Sequence, residues 1–171
     1  EESNIRQFPL VKASRREIED FILTEVVIRD GFGEFVDYCR RTSVRLVVVS
    51  SGLDLYIEPI MRREGIEHLE IHSGKAKSSR YGIQVTYTDP SGFAIKQGFK
   101  ESFVMEFKRR GHSIIYIGDG LSDIIPATKA NYVLARSTLE QHFKSNALPH
   151  YNFHSFEDVR QRVDEILQLT Q

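Results

Sequence analysis

Three short stretches hold side chains suited to binding a cation and an anion. The first is Gly118-Asp119-Gly120-Leu121-Ser122-Asp123, which closes the apolar run Ile114-Ile115-Tyr116-Ile117. A run of this length bounded by turn residues reads as a buried strand. Gly118 and Gly120 are expected to turn the backbone sharply and let it approach a ligand. Asp119 would then stand at the carboxyl end of a strand, where open α/β sheets bind their ligands. Two carboxylates at a strand end, Asp119 and Asp123, suit a hard cation such as Mg²⁺. Ser122 is expected to cap a helix carrying Ile124, Ile125 and Thr128. The competing reading is a tight turn whose aspartate serves turn propensity alone.

The second stretch is Ser50-Ser51-Gly52, after the apolar run Arg45-Leu46-Val47-Val48-Val49 and before a helix over about 54–63. Strand, hydroxyls, glycine and helix start form a small cradle for an anion, with hydroxyl and backbone N–H donors together. The same tripeptide is also a common turn and N-cap. The third is Lys100, at the start of a helix expected over about 97–110 and ending at Gly111. A lysine there opposes the helix dipole, a small cost that an exposed side chain tolerates.

The elements that must position these groups alternate. Pro9 is expected to keep residues 1–10 irregular, and Ser14-Arg15-Arg16-Glu17 has the form of a capping box opening a helix over 14–24. Asp30 is expected to open a helix with Phe32, Phe35, Val36 and Cys39 on one side. The strand at 45–49 reads as buried on both faces. A short strand is expected at 68–72, then a solvated basic turn from Gly74 to Arg80 with Lys75 and Lys77. Tyr81, Ile83, Val85 and Tyr87 alternate as a half-buried strand, and Asp89-Pro90-Ser91-Gly92 turns it into a hairpin. Beyond the Gly-Asp-Gly loop come a strand at 132–134, a helix at 139–144, and a last helix capped by Ser155 with Val159, Val163, Ile166 and Leu167 inward. Strands alternating with helices predict an α/β, Rossmann-like three-layer parallel sheet. The hairpin near 81–95 reads as a small insertion at its edge.

Composition narrows the function classes. The 171 residues balance 23 basic against 24 acidic side chains, a net charge of −1, so no bulk attraction to nucleic acid or anionic membrane is expected. Cys39 is the single cysteine, which excludes an internal disulfide and fits a reducing cytoplasm; it reads as core. No apolar run reaches membrane-spanning length. His68 and His72 fall in a strand, so their spacing shares no face, and His112, His142, His150 and His154 show no ligand spacing. Asp54 reads as a helix cap, and Arg29 and Asp30 as a hinge salt bridge or site neighbours.

Taken together, Ser50-Ser51-Gly52, Lys100 and Gly118 to Asp123 resemble, in that order, the later motifs of the haloacid dehalogenase superfamily, in its phosphoserine-phosphatase-like branch. The stretches Ile28 to Val36 and Ser51 to Asp54 narrow the resemblance to one enzyme within that branch. The resemblance implies Mg²⁺-dependent phosphoryl transfer from a small phosphorylated metabolite through an aspartyl-phosphate. By position, Asp119 would ligate Mg²⁺, and Asp123 would support the metal directly or through water. Ser50 would bind a phosphoryl oxygen beside N–H groups near Ser51 and Gly52, and Lys100 would neutralise charge. The family's Asp-x-Asp nucleophile motif occurs nowhere in these residues. Residues 1–28 are accordingly expected to be the tail of a helical cap with its hinge, and 29–171 the core without its first strand, which an upstream segment or a strand-donating neighbour would supply. The chain alone is expected to be inactive. The rival readings are a non-catalytic fragment that keeps the scaffold, and a phosphate-binding regulatory module.

Overall fold

The computed structural model describes residues 1–79 and 82–169. In chain order, α1 (Glu2–Gln7) is followed by a 3₁₀ turn over Phe8–Leu10, then α2 (Arg15–Glu25) and α3 (Phe32–Arg41). Next come β1 (Val47–Leu53), α4 (Asp54–Arg63), β2 (Glu70–Ser79), β3 (Gly82–Thr88) and β4 (Ala94–Ile95). The rest is α5 (Phe99–Arg109), β5 (Ile115–Gly118), α6 (Ile124–Thr128), β6 (Tyr132–Ala135), α7 (Ser137–Ser145), β7 (Tyr151–Asn152) and α8 (Phe156–Leu169). The class is α/β, as expected. The residues form two compact units: one of Glu1–Ile28 with Val44–Phe99, the other of Arg29–Ser43 with the chain from Lys100 onward.

In the first unit β1 pairs parallel with β2, and β2, β3 and β4 continue antiparallel. Val47, Val48 and Val49 are half-buried rather than buried, because β1 ends its ladder and pairs with β2 alone among the described residues. Between the pairs Ser50–Ser73 and Leu53–Gly74 the register breaks, leaving Ser51 and Gly52 as extra residues on β1, a β-bulge. The expected basic turn over 74–80 is instead the second half of β2 through Ser79, with Arg80 outside the described residues. Its lysines looked too polar for a strand, but Lys75 lies 3.4 Å from Asp54 Oδ2 and 3.2 Å from Glu58 Oε1. Asp54 therefore braces β2, its Oδ1 also accepting from Ala76 N at 2.9 Å, and α4 is capped at Leu53. Ile83, Val85 and Tyr87 are buried as the alternation demanded, while Tyr81 lies outside the described residues.

Pro9 does not prevent helix at the amino end, because it occupies the first turn of a new 3₁₀ segment, where a missing N–H costs nothing. The Ser14–Glu17 capping box forms as read. At Gly74 a side chain has no room: an added Cβ would lie 2.7 Å from Leu53 Cδ2 and from Tyr87 Cε1. Both neighbours are fully buried, so neither can swing away. Gly74→Ala is expected to lower stability by about 2 kcal/mol, the usual cost of overpacking. Urea unfolding checks this, and an unchanged midpoint would contradict it.

In the second unit β5, β6 and β7 form an all-parallel sheet. The residues expected inward on α3 and α8 are largely so: Phe35, Val36, Cys39, Val159, Val163 and Ile166 are buried, and Leu167 is half-buried. Gly31 rather than Asp30 caps α3, in the left-handed region at φ 83°. Ser155 caps α8 reciprocally: Asp158 N donates to Ser155 Oγ at 3.1 Å, and Ser155 N donates to Asp158 Oδ2 at 2.9 Å. The strand at 115–118 is half-buried, not buried, since among the described residues β5 pairs with β6 alone.

Candidate active site

The loop after β5 is built on one carboxylate. Asp123 is only 4% exposed and accepts from four donors. Its Oδ1 takes Lys100 Nζ at 2.6 Å and the Tyr116 hydroxyl at 2.7 Å. Its Oδ2 takes the backbone N–H of Asp119 at 3.1 Å and of Gly120 at 2.9 Å. A buried charge needs such partners to be tolerated. Burial pushes the Asp123 pKa up, but the Lys100 ammonium, with the N–H and phenol donors, outweighs it and holds the carboxyl below its ordinary value. Burial and the adjacent Asp123 push the Tyr116 phenol far up, so it remains a donor.

Two of the three sequence motifs, Lys100 and Gly118 to Asp123, meet at this loop. Lys100 is the second residue of α5, as expected, and its unfavourable place on the helix dipole is offset by the Asp123 carboxylate. Ser122 does not cap a helix; it lies inside a 3₁₀ turn over Leu121–Asp123, and its hydroxyl accepts from Lys100 Nζ at 3.1 Å. Gly118 is required for closeness rather than for turning, since an added Cβ would lie 2.8 Å from Asp123 Cγ. Neither Gly118 nor Gly120 has positive φ. Asp119 itself is exposed, and among the described residues no hydrogen bond or ion pair engages its carboxylate. The structure thus brings Lys100, Asp119, Ser122 and Asp123 together, with an exposed carboxylate on a loop pinned from behind.

Ser50, Ser51 and Gly52 belong to the other unit, at the bulge of β1. Ser51 O accepts from Tyr87 Oη at 2.6 Å and from Asn4 Nδ2 at 2.8 Å, which ties the bulge to β3 and α1. The Ser51 hydroxyl donates to Glu1 Oε1 at 3.0 Å. Gly52 N donates to Ser50 Oγ at 3.0 Å. Ser50 Oγ therefore acts as an acceptor inside the turn while its own O–H remains available to an anion. The glycine is needed because an added Cβ would lie 2.9 Å from Tyr56 Oη.

Sequence reading missed Tyr116 and Arg136. A tyrosine in an apolar run looks like core, and only its hydroxyl, seven residues before Asp123, hinted at more. Arg136, after β6, has a buried Nη1 with no hydrogen-bond partner among the described residues, and its guanidinium lies 5.9 Å from the Phe153 ring centroid. Among the described residues no three of His, Cys, Asp and Glu gather into a metal cluster, and no helix is long and apolar enough to cross a membrane.

Known proteins give this geometry a setting. The family model for haloacid dehalogenase-like hydrolases matches residues 6–125. A 2-hydroxy-3-keto-5-methylthiopentenyl-1-phosphate phosphatase of Brevibacillus brevis is 33% identical over 165 residues, covering 94% of this chain and 74% of that protein. One of the same name from Bacillus pumilus is 31% identical over 169 residues, covering 96% and 72%. In fold, the chain is similar to a phosphoserine phosphatase solved as a phospho-aspartyl intermediate analogue, with a TM-score of 0.69 at 17% identity, covering 95% of this chain and 77% of that one.

Proposed function

The chain belongs to the haloacid dehalogenase-like hydrolase family, and from that premise we propose that it supplies the metal- and phosphate-binding part of a Mg²⁺-dependent phosphomonoesterase acting on a small phosphorylated metabolite. One observation carries the reading. Asp123 ties the Lys100 ammonium to the Gly-Asp-Gly loop, at 2.6 Å, and leaves the Asp119 carboxylate exposed. A fixed cation beside an open carboxylate suits stabilising a transferring phosphoryl group, where catalysis is mostly positioning and electrostatics.

The donors fit Mg²⁺ better than zinc. Mg²⁺ needs only one or two carboxylates and completes its shell with water and phosphate oxygens, and Asp119 offers one free hard donor. Bound there, Mg²⁺ would neutralise charge on the transferring phosphoryl oxygens. Ser50 donates its free O–H to a phosphoryl oxygen, with N–H groups near Ser51 and Gly52 assisting, and Lys100 balances the negative charge of phosphate and nucleophile. In the first step the ester P–O bond breaks as a P–O bond forms to the first aspartate of an Asp-x-Asp strand. The alcohol leaves with a proton from that motif's second aspartate, which takes one back from the water of the next step. Water then attacks that aspartyl-phosphate, releasing phosphate and restoring the carboxylate. Residues 1–28 form the tail of a helical cap and 29–171 the core in this reading. The names of the relatives support a methylthiopentenyl 1-phosphate as the first substrate to try.

The test is metal removal in a protein in which an Asp-x-Asp strand precedes this chain. Hydrolysis of an aryl phosphate should vanish in EDTA and return with Mg²⁺. Turnover indifferent to EDTA, or none with any phosphate monoester, would overturn the proposal.

A further inference from the structure

The four donors on Asp123 leave its two oxygens little room for anything else. Oδ1 receives Lys100 Nζ and the Tyr116 hydroxyl, and Oδ2 receives the Asp119 and Gly120 N–H groups. A cation joining this carboxylate would have to displace one of them, and a buried donor left unmade costs about 1–3 kcal/mol. Tyr116 is the one partner that comes from the strand itself rather than from the loop or the lysine. Its hydroxyl joins β5, held in register with β6 from Ile115 to Gly118, to the carboxylate that anchors the loop. The phenol stays protonated across the working range because of its burial beside Asp123.

We propose that Tyr116 is a positioning residue for the metal site: its hydroxyl and Lys100 fill one oxygen of Asp123, the other oxygen holds the Asp119–Gly120 backbone, and Asp123 acts through the loop instead of on the cation. This rests on Asp119 being the metal-binding carboxylate. Residues that orient a metal ligand without touching the metal typically change affinity 10- to 100-fold when removed.

The sign of one substitution separates the two roles of Asp123. Tyr116→Phe removes a donor and frees an acceptor position on Oδ1. If Asp123 positions the loop, Mg²⁺ affinity measured by calorimetry falls about tenfold, and excess Mg²⁺ restores kcat. Adding Tyr116→Phe to Asp123→Asn then costs little more, since both act through one tether. If Asp123 is itself a ligand, Tyr116→Phe leaves affinity unchanged or tightens it, and the proposal is overturned.

A second readout needs neither metal nor turnover. In the metal-free chain, Tyr116→Phe should move the amide resonances of Asp119 and Gly120, whereas 3-fluorotyrosine at 116, which keeps the hydroxyl and the fold, should leave them nearly in place. Unmoved amides in the phenylalanine variant overturn the tether. Should the phenylalanine variant fail to fold, the Tyr116 hydroxyl proton of the parent decides: a slowly exchanging, downfield-shifted resonance, as for a buried phenol donating to a carboxylate, supports the tether, and rapid exchange with water overturns it. Should the parent bind no Mg²⁺, the metal reading of Asp119 fails and the amide shifts alone decide whether the tether exists.

Discussion

Asp119→Asn should abolish Mg²⁺-dependent phosphatase activity, by about a thousandfold or more, in a protein in which an Asp-x-Asp strand precedes this chain. The side chain is exposed and makes no hydrogen bond or ion pair among the described residues, so exchanging an oxygen for an amide nitrogen breaks no contact described there. The loop keeps its shape because its anchors are the backbone N–H groups of Asp119 and Gly120 on Asp123, not the Asp119 side chain. The melting temperature should therefore stay within about a degree or two of the parent, as for other surface substitutions. What the amide loses is the negative charge and one of two oxygen donors, which weakens its hold on a hard cation such as Mg²⁺. Parallel kinetics and thermal melts check the pair of outcomes. Retained activity with an intact fold would remove Asp119 from the site.

Much of this site was legible in the chain because its motifs are local. Gly118 to Asp123 sit at a strand end whatever the rest of the sheet does, and Lys100 is reachable by its place near a helix start. The alternation of Ile83, Val85 and Tyr87 wrote β3 plainly, and the Ser14–Glu17 box wrote the start of α2. Other features were not local, so pattern alone missed them. Lys75 and Lys77 made half of β2 look like a turn, because the acids that accept Lys75 lie on α4, some twenty residues earlier. The half-burial of β1 and β5 depends on each ending its ladder, which composition does not record. Two-residue strands such as β4 and β7 are too short to show a period at all. Tyr116 was hidden because an apolar strand and a buried tyrosine look alike until the hydroxyl finds its acceptor. Gly118 was singled out correctly but for the wrong reason, since crowding by Asp123 and not backbone angle demands it.

The 171 residues alone are expected to hydrolyse no phosphate monoester above background. Uncatalysed hydrolysis of these esters is among the slowest reactions that enzymes accelerate, so charge stabilisation without a nucleophile leaves most of the barrier in place. In the proposed reading Ser50, Lys100 and a cation on Asp119 would stabilise charge, but none is the carboxylate that would take the phosphoryl group. Asp54, the acid nearest to the Ser50 turn in sequence, is occupied by Ala76 N and Lys75, and Glu1, whose carboxylate reaches the turn, accepts from the Ser51 hydroxyl. There is a structural side as well. β1 and β5 end their ladders among the described residues with apolar side chains half-exposed, and such edges invite pairing with other chains. The isolated chain should therefore self-associate more than the same chain preceded by an Asp-x-Asp strand, as light scattering would read. Asp119-dependent turnover by the short chain alone would mean that the nucleophile lies within it.

The most direct test is a crystal structure of the protein with its Asp-x-Asp strand, grown with Mg²⁺ and a phosphate analogue such as beryllofluoride. The account predicts a cation bonded to an Asp119 oxygen, a phosphoryl mimic hydrogen-bonded by the Ser50 hydroxyl and Lys100, and Asp123 still holding the Asp119 and Gly120 N–H groups outside the metal's shell. A cation seated on Asp123, or a mimic beyond reach of both Ser50 and Lys100, would contradict it.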